Sequence, residues 1–534
     1  MEDFRSGNVV VMNVQKDVLI INANVVTLDL ERPRAQAVAV RNGKILDIGT
    51  PEKILRLAHD EAKIVDLHGR TVVPGLIDSH AHMLQFGQSL GQLNLRDVRS
   101  IEELQSRLRK YAEDNPENEW VLGGSWDQGK FSERRYPNRW DLDSAVSDRP
   151  VFLTRVCGHV CVVNSKALQL AGIDADKSQL KDKIDRDETT GEPAGILREE
   201  ALGLIRRAMP KPSLEEIERS CFLACRKAVE AGLTGVNWLV SSSDEIRVLQ
   251  KLSKEDRLPI RVCLGIPVSL LHHLTELGLA TGFGNDMMKI GPTKVVLDGS
   301  LGGHTAALYE PYSDRQETTG MMLYTKRKLN NIILEAHEAH LQIAVHAIGD
   351  RAMDTALAAF EKALKSSPWE GHRHRIEHCS VLNPALIRRM KRLGIIASVQ
   401  PHFVISDFWV TSRVGEERAR WVYPFKSLLR TGLVVAGGSD CPVEPIDPLL
   451  GMWAAVARKD SHDENVTAEE SLKMYTLNAA HAIFDEATRG SIKPGKLADL
   501  TILSDDPRLV SPDGIKSIAV EMVIVGGRIV YERP

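Results

Sequence analysis

The richest chemistry in the chain lies in the segment Val73-Pro-Gly-Leu-Ile-Asp-Ser-His80-Ala-His82. An apolar run ends there in two histidines at spacing two, which sends both imidazoles to the same side of an extended strand. Two imidazoles on one side are the start of a divalent metal site. Two later runs also end in histidine, Gln342-Ile-Ala-Val-His346 and Arg375-Ile-Glu-His378, and a third, Leu433-Val-Val-Ala-Gly-Gly-Ser-Asp440, ends in a carboxylate. One histidine behind a strand is usually a packed or surface residue. A series at the same level of successive units predicts a shared site, with Asp440 as its carboxylate. Lys294 sits within the apolar run Thr293-Lys-Val-Val-Leu297 and admits two readings. Its stem packs while its head reaches solvent, or the amine is desolvated and neutral enough to react with carbon dioxide. The resulting carbamate would bridge two metals.

Positioning such a series requires strands that end together. Eight apolar runs qualify: Thr71 to Ile77, Thr234 to Val240, Arg261 to Ile266, Thr293 to Leu297, Gln342 to Val345, Arg375 to Glu377, Ile395 to Val399 and Leu433 to Ala436. Helix-like segments alternate with them, and eight parallel strands close a (β/α)8 barrel with its active site at the C-terminal face. The expected fold is therefore α/β, a TIM barrel over 71–487. The β-rich ends, 1–70 and 488–534, are expected to form one composite β-sandwich. The gap between the first two barrel strands is too long for a loop and predicts an inserted subdomain at about 87–212. Its Trp120, Trp126 and Trp140 suggest an apolar cap favouring a hydrophobic acyl or amine group.

Composition narrows the function. The chain has 534 residues with 68 Lys+Arg against 72 Asp+Glu, a formal charge of −4. That balance, with no basic cluster, argues against nucleic-acid binding. No run approaches the ~18 apolar residues of a membrane span, and the acidic start, Glu2-Asp3, does not resemble a secretory signal. Seven scattered cysteines suit a reducing, cytoplasmic setting. A small-molecule substrate is expected, and a homodimer only on general frequency.

With these motifs in view, the sequence resembles the amidohydrolase superfamily, and within it the amidohydrolase-3 branch of N-substituted formamide deformylases and YtcJ-type hydrolases. The resemblance runs from the N-terminal β-segment to Gly490-Ser-Ile-Lys-Pro-Gly-Lys-Leu-Ala-Asp-Leu500. It implies metal ligands at His80, His82, His346, His378 and Asp440, and at Lys294 if that residue is carboxylated, giving two metals instead of one. Zinc suits imidazole and carboxylate donors best, with iron or manganese as alternatives. The implied reaction is hydrolysis of a carbon–nitrogen bond other than a peptide bond, of amide or N-substituted formamide type. A metal-activated hydroxide attacks and Asp440 shuttles the proton. Deamination of a cyclic amidine or nucleobase-like substrate is the alternative, and an inactive regulatory relative the third reading. His159, His304, Arg351 and His402 are the candidate substrate contacts. His304 stands where the branch leads us to expect arginine, and Cys157 where an acidic or small polar residue is usual.

Overall fold

The structure, a computed structural model, describes residues 17–155, 160–173, 183–198, 201–459 and 462–534. It forms two compact units, one of residues 1–86 with 217–534 and one of residues 87–216. The first contains a parallel barrel sheet of eight strands among the described residues: β1 (Leu76–Ala81), β2 (Leu233–Leu239), β3 (Arg261–Pro267), β4 (Met288–Val296), β5 (Ile343–Ala347), β6 (Arg375–His378), β7 (Ile396–Val399) and β8 (Val435–Gly437). Each pairs with its sequence neighbour. The strands are short, β-branched and almost wholly buried, as expected where helices cover one face and barrel side chains fill the other. The helix Asp350–Ser366 shows the complementary pattern, burying Ala352, Met353, Ala356, Leu357, Phe360 and Ala363 along one stripe. The helix Pro384–Leu393 starts on Asn383, whose side chain caps it, and stops at Gly394, whose φ of 67° suits glycine before the chain enters β7.

The barrel closes between β1 and the turn after β8. Asp440 N–H donates to His80 O at 2.7 Å and His82 N–H to Cys441 O at 2.7 Å, with Ala81 and Cys441 bridged in parallel. Gly438 permits this approach, since a Cβ there would lie 2.7 Å from the His80 nitrogen.

The expected first barrel strand, Thr71 to Ile77, proves to be two strands. Thr71–Pro74 pairs with Leu500–Leu503 in a six-stranded sheet assembled from both ends of the chain, and the barrel begins only at Leu76. Gly75 makes the break: its N–H donates to Asp499 O at 2.8 Å, and a Cβ there would lie 2.2 Å from Thr234 Oγ1. Val18, Ile20, Val38 and Ile45 of a second, four-stranded sheet share a core with Leu500, Ile502 and Ile524.

The unit of residues 87–216 has its own six-stranded sheet and apolar cores. Its tryptophans do not behave as the sequence reading expected. Trp126 is fully buried there, its indole N–H on Leu153 O at 3.0 Å, and Trp120 is buried in the same unit. Trp140 is 39% exposed with Arg139 over its ring at 4.6 Å. Two of the three are thus core residues of that unit.

Six cysteines among the described residues are free and buried, and none of the described helices is long and apolar enough to cross a membrane. The start of β3 is tied to the terminal sheet by a buried bidentate pair, Arg261 Nε to Asp499 Oδ2 at 2.6 Å and Nη2 to Oδ1 at 2.9 Å. Removing the cation strands a buried carboxylate. Arg261→Ala is expected to cost about 3–5 kcal/mol, read as a lowered urea midpoint, with Arg261→Lys intermediate because it cannot bind bidentately. A loss under about 1 kcal/mol, the value of an exposed pair, would contradict this account.

Candidate metal centre

The C-terminal ends of β1, β4, β5, β6 and β8 converge on one cluster. His80 is fully buried. Its Nδ1 makes a short hydrogen bond with Glu377 of β6, which leaves Nε2 to face the other donors. That Nε2 lies 3.3 Å from Asp440 Oδ1 and 3.4 Å from Lys294 Nζ. His82 Nε2 is also 3.3 Å from Asp440 Oδ1. One donor atom from each of His80, His82 and Asp440 therefore lies within 4.8 Å of the others, a spacing that can hold a metal ion. Beside them, the His80 and His378 ring centroids are 5.1 Å apart and those of His346 and His378 4.4 Å. His346 Nε2 faces Gly299 O at 3.1 Å. His378 Nδ1 is buried without a hydrogen-bond partner. A buried lone pair with nothing to accept is costly, and a cation would satisfy it. The residues present thus fit a divalent metal.

Protonation states agree with that chemistry. Burial pushes His346 down to about 3, and burial followed by the neighbouring His346 holds His378 well below the usual imidazole range. Both rings are therefore neutral and able to coordinate near pH 7. Burial alone would raise Asp440, but hydrogen bonds and charge from His80, then His82, outweigh it and hold the carboxyl well below its usual range. Burial also lowers Lys294 to about 8, against the opposing pull of Glu377 and Asp440.

Other buried side chains hold the cluster in place. Arg375 Nε donates to Glu377 Oε1 at 2.5 Å, and its Nη2 reaches Ser79 O at 2.5 Å and Ser398 Oγ at 2.8 Å. Asp78 accepts from His80 N–H at 2.8 Å and Ser439 N–H at 3.1 Å, so one carboxyl, raised to about 6 by burial, spans the barrel seam. Asp298 accepts from the backbone of Ala307, Ile348 and Gly349 at 2.9–3.0 Å and fastens the segments after β4 and β5. Strand alternation would put Glu377 and His378 on opposite faces. His378 escapes it through a left-handed backbone with φ of 76°, followed by Cys379 at 48°; Asp440 is likewise left-handed at 56°. Such conformations in non-glycine residues concentrate at functional sites.

The four expected substrate contacts fall in different settings. His402 follows β7 and pairs its Nδ1 with Glu444. His304 lies in a part-exposed group with Asp314 at 3.1 Å and Arg413 at 2.7 Å. Arg351 is turned to backbone, its Nη2 reaching Thr319 O at 3.3 Å and Gly320 O at 3.4 Å. His159 lies outside the described residues. Glu377, Asp78, Asp298 and Glu444 were not singled out from sequence. Glu377 carried a readable signal, a carboxylate inside an apolar strand immediately before a ligand histidine.

Comparison with known proteins points to one family. The family model described as "Amidohydrolase family" matches residues 63–531. YtcJ of Bacillus subtilis (strain 168) is 34% identical over 94% of this chain and 97% of its own length. The N-substituted formamide deformylase of Arthrobacter pascens is 28% identical, covering 98% and 99%. Among solved structures, an uncharacterized metal-dependent hydrolase from Pyrococcus furiosus superposes with a TM-score of 0.80 at 34% identity, covering 92% of this chain and 99% of that one. With a barrel, a cluster of metal donors and a family match over nearly its whole length, the chain belongs to the amidohydrolase family of metal-dependent hydrolases.

Proposed function

We propose that this protein hydrolyses the carbon–nitrogen bond of an amide or N-substituted formamide, with zinc held by His80, His82, His346, His378 and Asp440. The observation that carries the reading is the grouping of the His80, His82 and Asp440 donor atoms within 4.8 Å, beside the unpartnered His378 Nδ1. A divalent cation there lowers the pKa of water from about 15.7 toward roughly 7 and polarises the substrate carbonyl. Asp440, ionised well below neutrality, accepts a proton from the attacking water and returns it to the departing amine. Glu377 holds His80 in the tautomer that leaves Nε2 bare. Lys294, buried and lowered to about 8, is neutral in part near pH 7 and open to carbon dioxide; as a carbamate it would supply the anionic bridge of a two-metal site. Buried free thiols support a reducing, cytoplasmic setting.

The test is to strip the protein with a chelator, reload it with zinc or manganese, and assay N-acyl amines, N-formyl amines and 4-nitroacetanilide. Activity should vanish on stripping and return with metal. Asp440→Asn should lower kcat by about 10²-fold or more; full activity in that variant on a good amide substrate would defeat the proposal.

Two further outcomes concern the metal itself. Glu377→Gln should weaken zinc binding by roughly 10–100-fold, measured by competition with a chromophoric chelator; unchanged affinity would remove Glu377 from the site. With bicarbonate present, elemental analysis should find two metals per chain, falling to one in Lys294→Ala. Equal counts in both proteins would rule out the bridging carbamate.

A further inference from the structure

The segments after β7 and β8 share a polar group that the proposed reaction leaves unused. His402 immediately precedes the short helix Phe403–Ser406. Glu444 lies four residues past Asp440, beyond a turn in which Val443 N–H donates to Asp440 O at 3.0 Å. The Glu444 residue is only 6% exposed. One of its oxygens takes a short hydrogen bond from His402 Nδ1, the other from Ser406 Oγ.

A carboxylate offers only acceptors, so Nδ1 and the hydroxyl must both be donors. The imidazole is thereby held in the tautomer with its proton on Nδ1. Its Nε2 has no hydrogen-bond partner among the described residues, and the side chain is 18% exposed. The next residue, Phe403, packs its ring 6.3 Å from that of His378, so the segment that carries His402 borders the metal cluster. Burying a carboxylate is costly unless something needs it, and a histidine that only filled space would not require one.

We infer that Glu444 is a positioning residue: it fixes the tautomer and orientation of His402 so that Nε2 hydrogen-bonds the scissile group of the substrate, with Ser406 steadying the carboxylate. This rests on the reading that the barrel mouth takes a carbon–nitrogen substrate. It adds a second polar contact, one in which Nε2 accepts and which therefore selects substrates carrying an N–H donor at the bond to be cut.

Two measurements on the zinc-loaded full chain test it. In 15N-histidine spectra, with His402→Gln assigning the resonance, His402 should show a protonated Nδ1 and a bare Nε2, and Glu444→Ala should abolish that single tautomer. A proton on Nε2, or a spectrum unchanged by Glu444→Ala, overturns the inference. In a double-mutant cycle with 4-nitroacetanilide, His402→Gln and Glu444→Ala should each lower kcat/KM by roughly 10–100-fold, and the double variant should be no worse than His402→Gln alone. Losses that multiply, or single variants at wild-type rates, overturn it. Ser406→Ala, a milder change that keeps the buried carboxylate, should give a smaller loss of the same sign and serves if Glu444→Ala does not fold. If the wild type cleaves no amide or formamide at all, the carbon–nitrogen reading falls separately, and the spectra still decide the tautomer.

Discussion

The seam between β1 and the turn after β8 is the constraint on which the centre depends. It joins segments at opposite ends of the barrel sequence through backbone hydrogen bonds from Asp440 to His80 and from His82 to Cys441. The side chains of His80, His82 and Asp440 therefore spring from the same few rungs of the sheet. Their spacing follows from the ladder rather than from flexible side chains. Asp78 accepts backbone N–H groups from both sides of the seam, and Gly438 supplies the missing Cβ that lets the strands approach.

The same seam gathers charge where water is scarce. Isolated buried ions are strongly disfavoured, so each one here has a defined partner. Glu377 is matched by Arg375 on its own strand and by His80 across the barrel. Burial moves Lys294 toward neutrality and keeps His346 and His378 uncharged. Asp440 is then an anion beside the neutral rings of His346 and His378, an environment that attracts a divalent cation. Glu444 repeats the arrangement at the mouth, a buried carboxylate under one nitrogen of a histidine whose other nitrogen is free.

Much of the barrel was legible because apolar β-branched runs of strand length, separated by helix-length segments, have few other stable uses. Expected boundaries differ from the observed ones chiefly at Thr71–Ile77. There one continuous apolar run serves two sheets, and only the close packing of Gly75 against Thr234 divides it. The tryptophans of the second unit misled because polar sequence neighbours do not reveal whether an indole faces solvent or a core. The candidate histidines and Asp440 were legible since each lies at or just beyond the end of an apolar run. Glu377, Asp78 and Glu444 were less so, because their work is done on partners far away in the chain, and strand alternation wrongly separates Glu377 from the cluster beside it.

Local residue chemistry therefore determined the α/β barrel, the family resemblance and the candidate ligand types, since hydrophobic periodicity and strand-end histidines are properties of short segments. Tertiary structure decided which of those residues meet. Closure brings Asp440 to His80 and His82, left-handed backbone turns His378 into the cluster, and contacts to the backbone of Thr319 and Gly320 hold Arg351 at the start of its helix. Distances between groups remote in sequence, and the desolvation that shifts their protonation, exist only once the barrel has closed around them.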